Sequence, residues 1–397
     1  MIHSPSATRR TFRPNVERLE DRTVPAGTLN LTLVNGTLTI TAVSSANPAL
    51  NNQSIVIQGD GTPGTFTIQG ADGESINGPA GAGSLTGVTN IKLNLGAGHD
   101  TVTIDGAQLA GTLTVNGGSG NTSVILENAD STFGSVRITN GMGNDLFQAD
   151  AKLNVTGNLT VNNGHGDTKF LLNADTDIGG NLSITNTGGI DIFTSKALLD
   201  VAGNLTMNNG AGTVRLLFDG TTEIGGNFSV INGYGGDTTD FNGSLKVAGN
   251  LSLNYGTSDG WGNALIGGKV ETVQLTGSST KFNAPAEIGG NLTIRGQGGI
   301  DRVVLDGVTV NGTTLFDLGA QDDVVILTDS TFVGRTTINT GAGNDRLTIG
   351  APDAIVTFQT APVRFDGGAG IDTLERLTVA NVFPPLNPIQ LNWEIVS

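Results

Sequence analysis

The residues best placed to do chemistry are aspartates that close glycine-rich turns. "GAGHDTVTI" at 96–104, "GMGNDLF" at 141–147 and "GAGNDRLTI" at 341–349 read G-x-G-x-D followed by alternating apolar residues. They set Asp100, Asp145 and Asp345 at one phase of a repeat, and Asp301, Asp323 and Asp372 share it. If the copies stack, neighbouring carboxylates lie about one strand spacing (~4.8 Å) apart. Such a pair repels by about 1 kcal/mol in water, and by more where solvent is excluded. Only Asp301, Asp323, Asp345 and Asp372 occupy successive copies; Asp100, Asp145, Asp191 and Asp237 hold alternate ones, with Thr122 and Val214 among the residues between. A cation shared along the file is therefore expected first in the C-terminal half. The other reading is that Asp simply suits an exposed turn by hydrogen-bonding its own backbone.

The turns belong to a longer repeat. "GNLTVNNGHGD" from Gly157 returns as "GNLSITNTGGID" from Gly180, "GNLTMNNGAGT" from Gly203, "GNFSVINGYGGD" from Gly226 and "GNLSLNYGTSD" from Gly249. Leu159 and Val161 alternate with Thr160 and Asn162, the period of a half-buried strand. A Gly-rich turn follows, then a second apolar run at Phe170–Leu172 and a third around Ile178. Three short strands per 22–23 residues cannot bury an apolar face alone, but stacked copies can. The chain is thus expected to be all-β, a right-handed parallel β-helix. Counting Gly-turn phases, with Gly256, Gly277 and Gly296 as successive ones, gives about thirteen coils. All twelve prolines lie at or before Pro79 or at or after Pro285, as expected if every N–H between joins a ladder.

The ends must differ, because an uncapped solenoid exposes open strand edges. Residues 1–26 form a basic leader, 27–90 a cap with an irregular coil, 91–376 the solenoid and 377–397 a second cap. "LNLTLVNGTLTI" reads as a hairpin on an Asn35-Gly36 turn, with Leu33 opposite Leu38 and Leu31 opposite Ile40. Three prolines in "NVFPPLNPIQLNW" are expected to stop a further coil. The leader carries five Arg against three acids, leaving 15 bases against 33 acids, or −18, in the remainder. That balance disfavours nucleic acid and anionic lipid and makes divalent cations the natural counterions. No run of 18 apolar residues is long enough for a membrane-spanning helix, so membrane insertion is not expected. Without Cys there is neither disulfide nor thiolate metal site.

The G-x-G-x-D turns, and above all "GGAGIDTLE" at 367–375, resemble the haemolysin-type (RTX) repeat. That resemblance implies calcium, held between coils by Asp carboxylates and turn carbonyls, with Asp301, Asp323, Asp345, Asp372, Asp100 and Asp145 as ligands. Calcium–oxygen distances of about 2.4 Å suit an ion midway between rungs. The family's repeats are tandem nonapeptides, whereas this chain has one such turn per coil. Separately, "RRTFRPNVERLEDRTVPA" at 9–26 resembles the planctomycete extracellular motif R-P-x-V-E-x-L-E-D-R-x-x-P-A. In that family the motif precedes repeat-built proteins thought to be exported or held at the cell surface, so the resemblance implies an extracellular or surface location.

The function expected is a non-enzymatic structural or adhesive rod, with envelope polysaccharide or other surface proteins as partners. A second reading is a carbohydrate-binding surface at Tyr234, Tyr255 and Trp261, three of the few aromatics, which cluster at the turns of two adjacent coils. A third is a polysaccharide lyase or glycosidase, which would need convergent Asp, Lys or Arg side chains on a sheet face. No catalytic residue is assigned, because the sheet positions are mostly Thr, Ser and Asn and the acids gather at the turns. Asn158, Asn181 and Asn204 lie in N-x-S/T triplets, but as repeat positions they are expected to stack at a corner.

Overall fold

The apolar–polar alternation of each repeat becomes three short strands. In one coil these are Leu153–Val155, Leu159–Asn162 and Thr168–Leu172; in the next, Thr176–Ile178, Leu182–Thr185 and Asp191–Ser195. Each strand pairs in parallel with its counterpart in the next coil, as in Leu159↔Leu182 and Phe170↔Phe193. Our computed structural model describes residues 28–43, 51–71, 75–77, 84–256, 262–266, 286–377, 380–385 and 388–396. Among these the chain is all-β, a parallel β-solenoid of about 12 turns consistent with a right-handed coil. First and second strands together form a 25-stranded sheet, and third strands a 15-stranded one.

The interior is a continuous apolar column. Phe147, Phe170, Phe193, Phe218 and Phe241 lie one per coil on the inner face of the third strands, with successive ring centroids 4.6, 5.5, 5.0 and 4.8 Å apart. Parallel strands about 4.8 Å apart bring rings at paired positions, Phe147 to Phe193 and Phe218 to Phe241, to stacking distance, while Phe218 pairs with Ser195 and meets Phe193 tilted by 40°. The corner between first and second strands is held by asparagine: Oδ1 of Asn158 accepts the Asn181 backbone N–H at 2.8 Å, and the bond recurs from Asn181 to Asn204, Asn204 to Asn227 and Asn227 to Asn250. The triplet asparagines are the stacked corner residues expected.

The N-terminal hairpin forms as read, with Leu33↔Leu38 and Leu31↔Ile40, turning on Asn35 and Gly36 at φ of 47° and 74°. A second antiparallel pair, Ser54–Gly59 with Phe66–Gly70, completes this end. Two expectations are corrected. The strand Leu251–Asn254 pairs directly with Leu292–Arg295, so Gly277 marks no rung between them: one coil carries an insertion. The C-terminal prolines also fail to end the stack. Ile389–Leu391 pairs with Arg364–Asp366 and Ile395–Val396 with Thr373–Leu374, because the prolines fall between the strands of this final coil.

Candidate functional site

The Gly-rich turn joins the second strand to the third, and its glycines are there because rungs approach closely. A side chain at Gly164 would overlap the Gly141 carbonyl oxygen, and one at Gly341 that of Gly319. After the turn come two consecutive residues of opposite orientation. The outer one hydrogen-bonds backward: Asn144 N–H donates to Asn121 Oδ1 (2.9 Å), Asp167 N–H to Asn144 Oδ1 (3.0 Å) and Ile190 N–H to Asp167 Oδ1 (2.9 Å). The inner one is the aspartate of the motif, and it points into the coil.

Asp100, Asp145, Asp301, Asp323, Asp345 and Asp372 are 0–5% exposed, so the exposed-turn reading of these residues is wrong. Asp100, Asp145, Asp323, Asp345 and Asp372 each cap the rung before. Oδ1 of Asp100 accepts the Gln53 N–H at 2.9 Å, that of Asp145 the Thr122 N–H at 2.9 Å, and that of Asp237 the Val214 N–H at 3.1 Å. In the C-terminal half the bonds run unbroken: Asp301 N–H to Asp323 and Asp323 N–H to Asp345, both 2.7 Å, then Asp345 N–H to Asp372 at 2.8 Å. Glu394 caps Asp372 in turn, at 2.7 Å. In the N-terminal half, where the aspartates alternate, backbone carbonyls serve as well: Asp145, Thr168 and Asp191 send their N–H groups to the carbonyls of Asp167, Ile190 and Thr213.

One hydrogen bond does not satisfy a carboxylate. Oδ2 of Asp100, Asp301, Asp323, Asp345 and Asp372 is buried with no partner among the described residues. Burial pushes these carboxyls up: Asp145 and Asp191 to about 6, Asp100, Asp237 and Asp301 to about 7, and Asp323 to about 8. At Asp323 the charges of Asp301 and Asp345 add to burial. Asp345 and Asp372 are raised by burial too, and secondarily by neighbouring acids. A buried anion without full solvation must take a proton or a cation. Among the described residues no three acidic or histidine side chains converge as a metal site.

Facing the aspartates, five residues earlier in each coil, is a file the sequence reading missed. Asn140, Asn163, Asn186, Asn209 and Asn232 donate Nδ2 to the Oδ1 of the next, at 3.0, 2.8, 2.9 and 2.8 Å. The last four are 4–5% exposed. The signal was visible as the first Asn of "NGHGD" recurring in five successive coils, from Asn140 to Asn232, but only the structure shows that it faces inward. Asn186→Ala should cost about 2–4 kcal/mol, because it leaves a donor on Asn163 and an acceptor on Asn209 buried and unpaired. Asn232→Ala, at the end of the file, loses one such bond and should cost about half as much in urea unfolding.

The aromatic cluster does not survive as drawn. Tyr255 takes the position one rung beyond Asn232, is 3% exposed and belongs to the core, so it cannot stack on a sugar. Tyr234 is 70% exposed at the turn crest. Trp261 lies outside the described residues, as does the basic motif at 9–26. The stacked coil and its buried carboxylate file define the chain as a β-solenoid protein. No protein-family model matches it, and neither a curated protein nor a solved structure does.

Proposed function

We propose that the protein is a structural or adhesive rod of the cell envelope or extracellular space, stiffened by calcium along the aspartate file. The observation that carries this reading is the run of buried carboxylates: Asp323, Asp345 and Asp372 each cap a neighbouring rung with one oxygen, and their other oxygen, like Oδ2 of Asp301, has no partner among the described residues. Polar groups of the turns and corners are likewise spent joining one rung to the next, which gives a long object with little freedom to bend. Asp301, Asp323, Asp345 and Asp372 would hold the cation, whose role is to neutralise their charge. Extracellular placement draws support from the motif at 9–26, and envelope polysaccharide or surface proteins are the partners it implies. For sugar stacking, Tyr234 is the one exposed member of the aromatic trio among the described residues.

Calcium titration with thermal melting tests the metal. At pH 7.5, calcium at 100 times its Kd should stabilise the fold by about 2.7 kcal/mol per site relative to chelator. Magnesium, which needs a stricter octahedral shell, should do much less. A melting temperature that is the same in chelator and in millimolar calcium would eliminate the calcium part of the reading.

A further inference from the structure

The three outer faces of the coil differ in chemistry. Second strands present small neutral residues such as Thr160, Ser183, Thr206 and Ser229, in register. First strands present an acidic file, Asp177, Asp200 and Glu223, on three successive rungs. Asp177 pairs with Lys152 at 2.7 Å, whereas Asp200 and Glu223 make no ion pair among the described residues. Third strands present something unexpected for a chain of net charge −16: bases set among apolar side chains. Leu146, Lys169, Ile192 and Arg215 form one outward file, and Leu171 and Leu217 stand beside the two bases in the next. The leucines and Ile192 are half-buried, Lys169 and Arg215 are exposed, and neither base makes an ion pair among the described residues. Asp240, on the rung after Arg215, feels the guanidinium charge without pairing with it.

We infer that this apolar and basic face docks on the acidic face of a second copy of the chain, so that rods associate side by side. Charge complementarity selects the pair of faces, and the rung spacing selects the partner. Two rungs separate Lys169 from Arg215, and two rungs separate Asp177 from Glu223. A second copy of the chain carries carboxylates at that same interval, about 10 Å, over a rigid length. Net negative charge opposes the approach at long range, but at physiological salt the screening length is about 8 Å, so contact pairs decide. The contact is heterologous, joining different faces of the two copies, and therefore leaves each rod with a free face for a third.

Sedimentation velocity of the full chain near 0.15 M salt tests this, in chelator and in calcium so that failure of the calcium reading is seen separately. Wild type should sediment faster as concentration rises. The variants Lys169→Glu/Arg215→Glu and Asp177→Lys/Glu223→Lys should each weaken association at least about tenfold, with unchanged circular dichroism. Mixed one to one they should associate again, since each restores a complementary pair. Carbodiimide cross-linking of mixed light and heavy wild-type chains gives an independent readout: Lys169 should join Asp177 or Glu223 between copies. Wild type monomeric throughout, either variant associating undiminished, or a mixture that stays monomeric would overturn the proposal.

Discussion

In chelator, the protein should melt at a higher temperature at pH 5 than at pH 8. Acids normally contribute the opposite slope, because native salt bridges depress their pKa. Here burial raises it, with Asp145 and Asp191 at about 6, Asp301 at about 7 and Asp323 at about 8, from an ordinary 3.8. Below pH 3.8 these groups are protonated whether the chain is folded or not, and they contribute nothing to the slope. Between that value and the folded one, the unfolded chain gives up protons that the folded chain keeps, so stability falls as pH rises. The loss is complete above about pH 8. One unit is worth about 1.4 kcal/mol, so even a single unit at each of Asp301 and Asp323 costs roughly 3 kcal/mol, and the raised carboxyls of Asp345 and Asp372 add in the same direction. Calcium should flatten this slope, since a cation replaces the proton. Asp323→Asn separates the effect from overall charge. The amide oxygen can still accept the Asp301 N–H, so in chelator at pH 8 the variant should be more stable than wild type, and less responsive to calcium. Wild-type stability that rises from pH 5 to pH 8 in chelator would show that the carboxylates fold ionised and well solvated.

Much of this arrangement could be read in advance, for identifiable reasons. The hairpin at Asn35-Gly36 was legible because positive φ at two successive residues restricts the choice to Asn and Gly, and that fixes the register. The coil was legible because a parallel stack demands the same side chain at the same place on every rung. What the period does not carry is direction. Asn144 and Asp145 are both small, polar and next to the turn, so their order in the sequence reads the same whichever faces inward. One points out and the other in, and only the coil's closure decides which. The same holds for Tyr255. Its rarity suggested a surface role, yet it fills a core position that asparagines hold on the rungs before. The insertion after Tyr255 was misread as a rung because its length comes close enough to a full coil to hide in the phase.

Gly212→Ala should destabilise the stack by about 3 kcal/mol or more, and Gly96→Ala by about 1–2 kcal/mol. Both glycines have positive φ, 139° at Gly212 and 96° at Gly96, so both variants carry backbone strain. They differ in surroundings. A methyl group at Gly212 would overlap the carbonyl oxygen of Gly189 on the preceding rung, while one at Gly96 meets nothing within 4 Å. The obstacle at Gly212 is backbone, held by its own ladder, and cannot swing aside as a side chain would. Relief would require parting two rungs, which breaks the neighbouring bond from Gly189 N–H to the Ala211 carbonyl and loosens the Phe193–Phe218 contact. Each rung touches only its neighbours, so the damage should be local. Hydrogen exchange should quicken from Gly189 to Gly235 and stay near wild type around Phe332 and Phe358, whose rings stack several coils away. Equal cost at the two glycines would mean that φ alone dictates glycine at these turns, and that the rungs have room to spare.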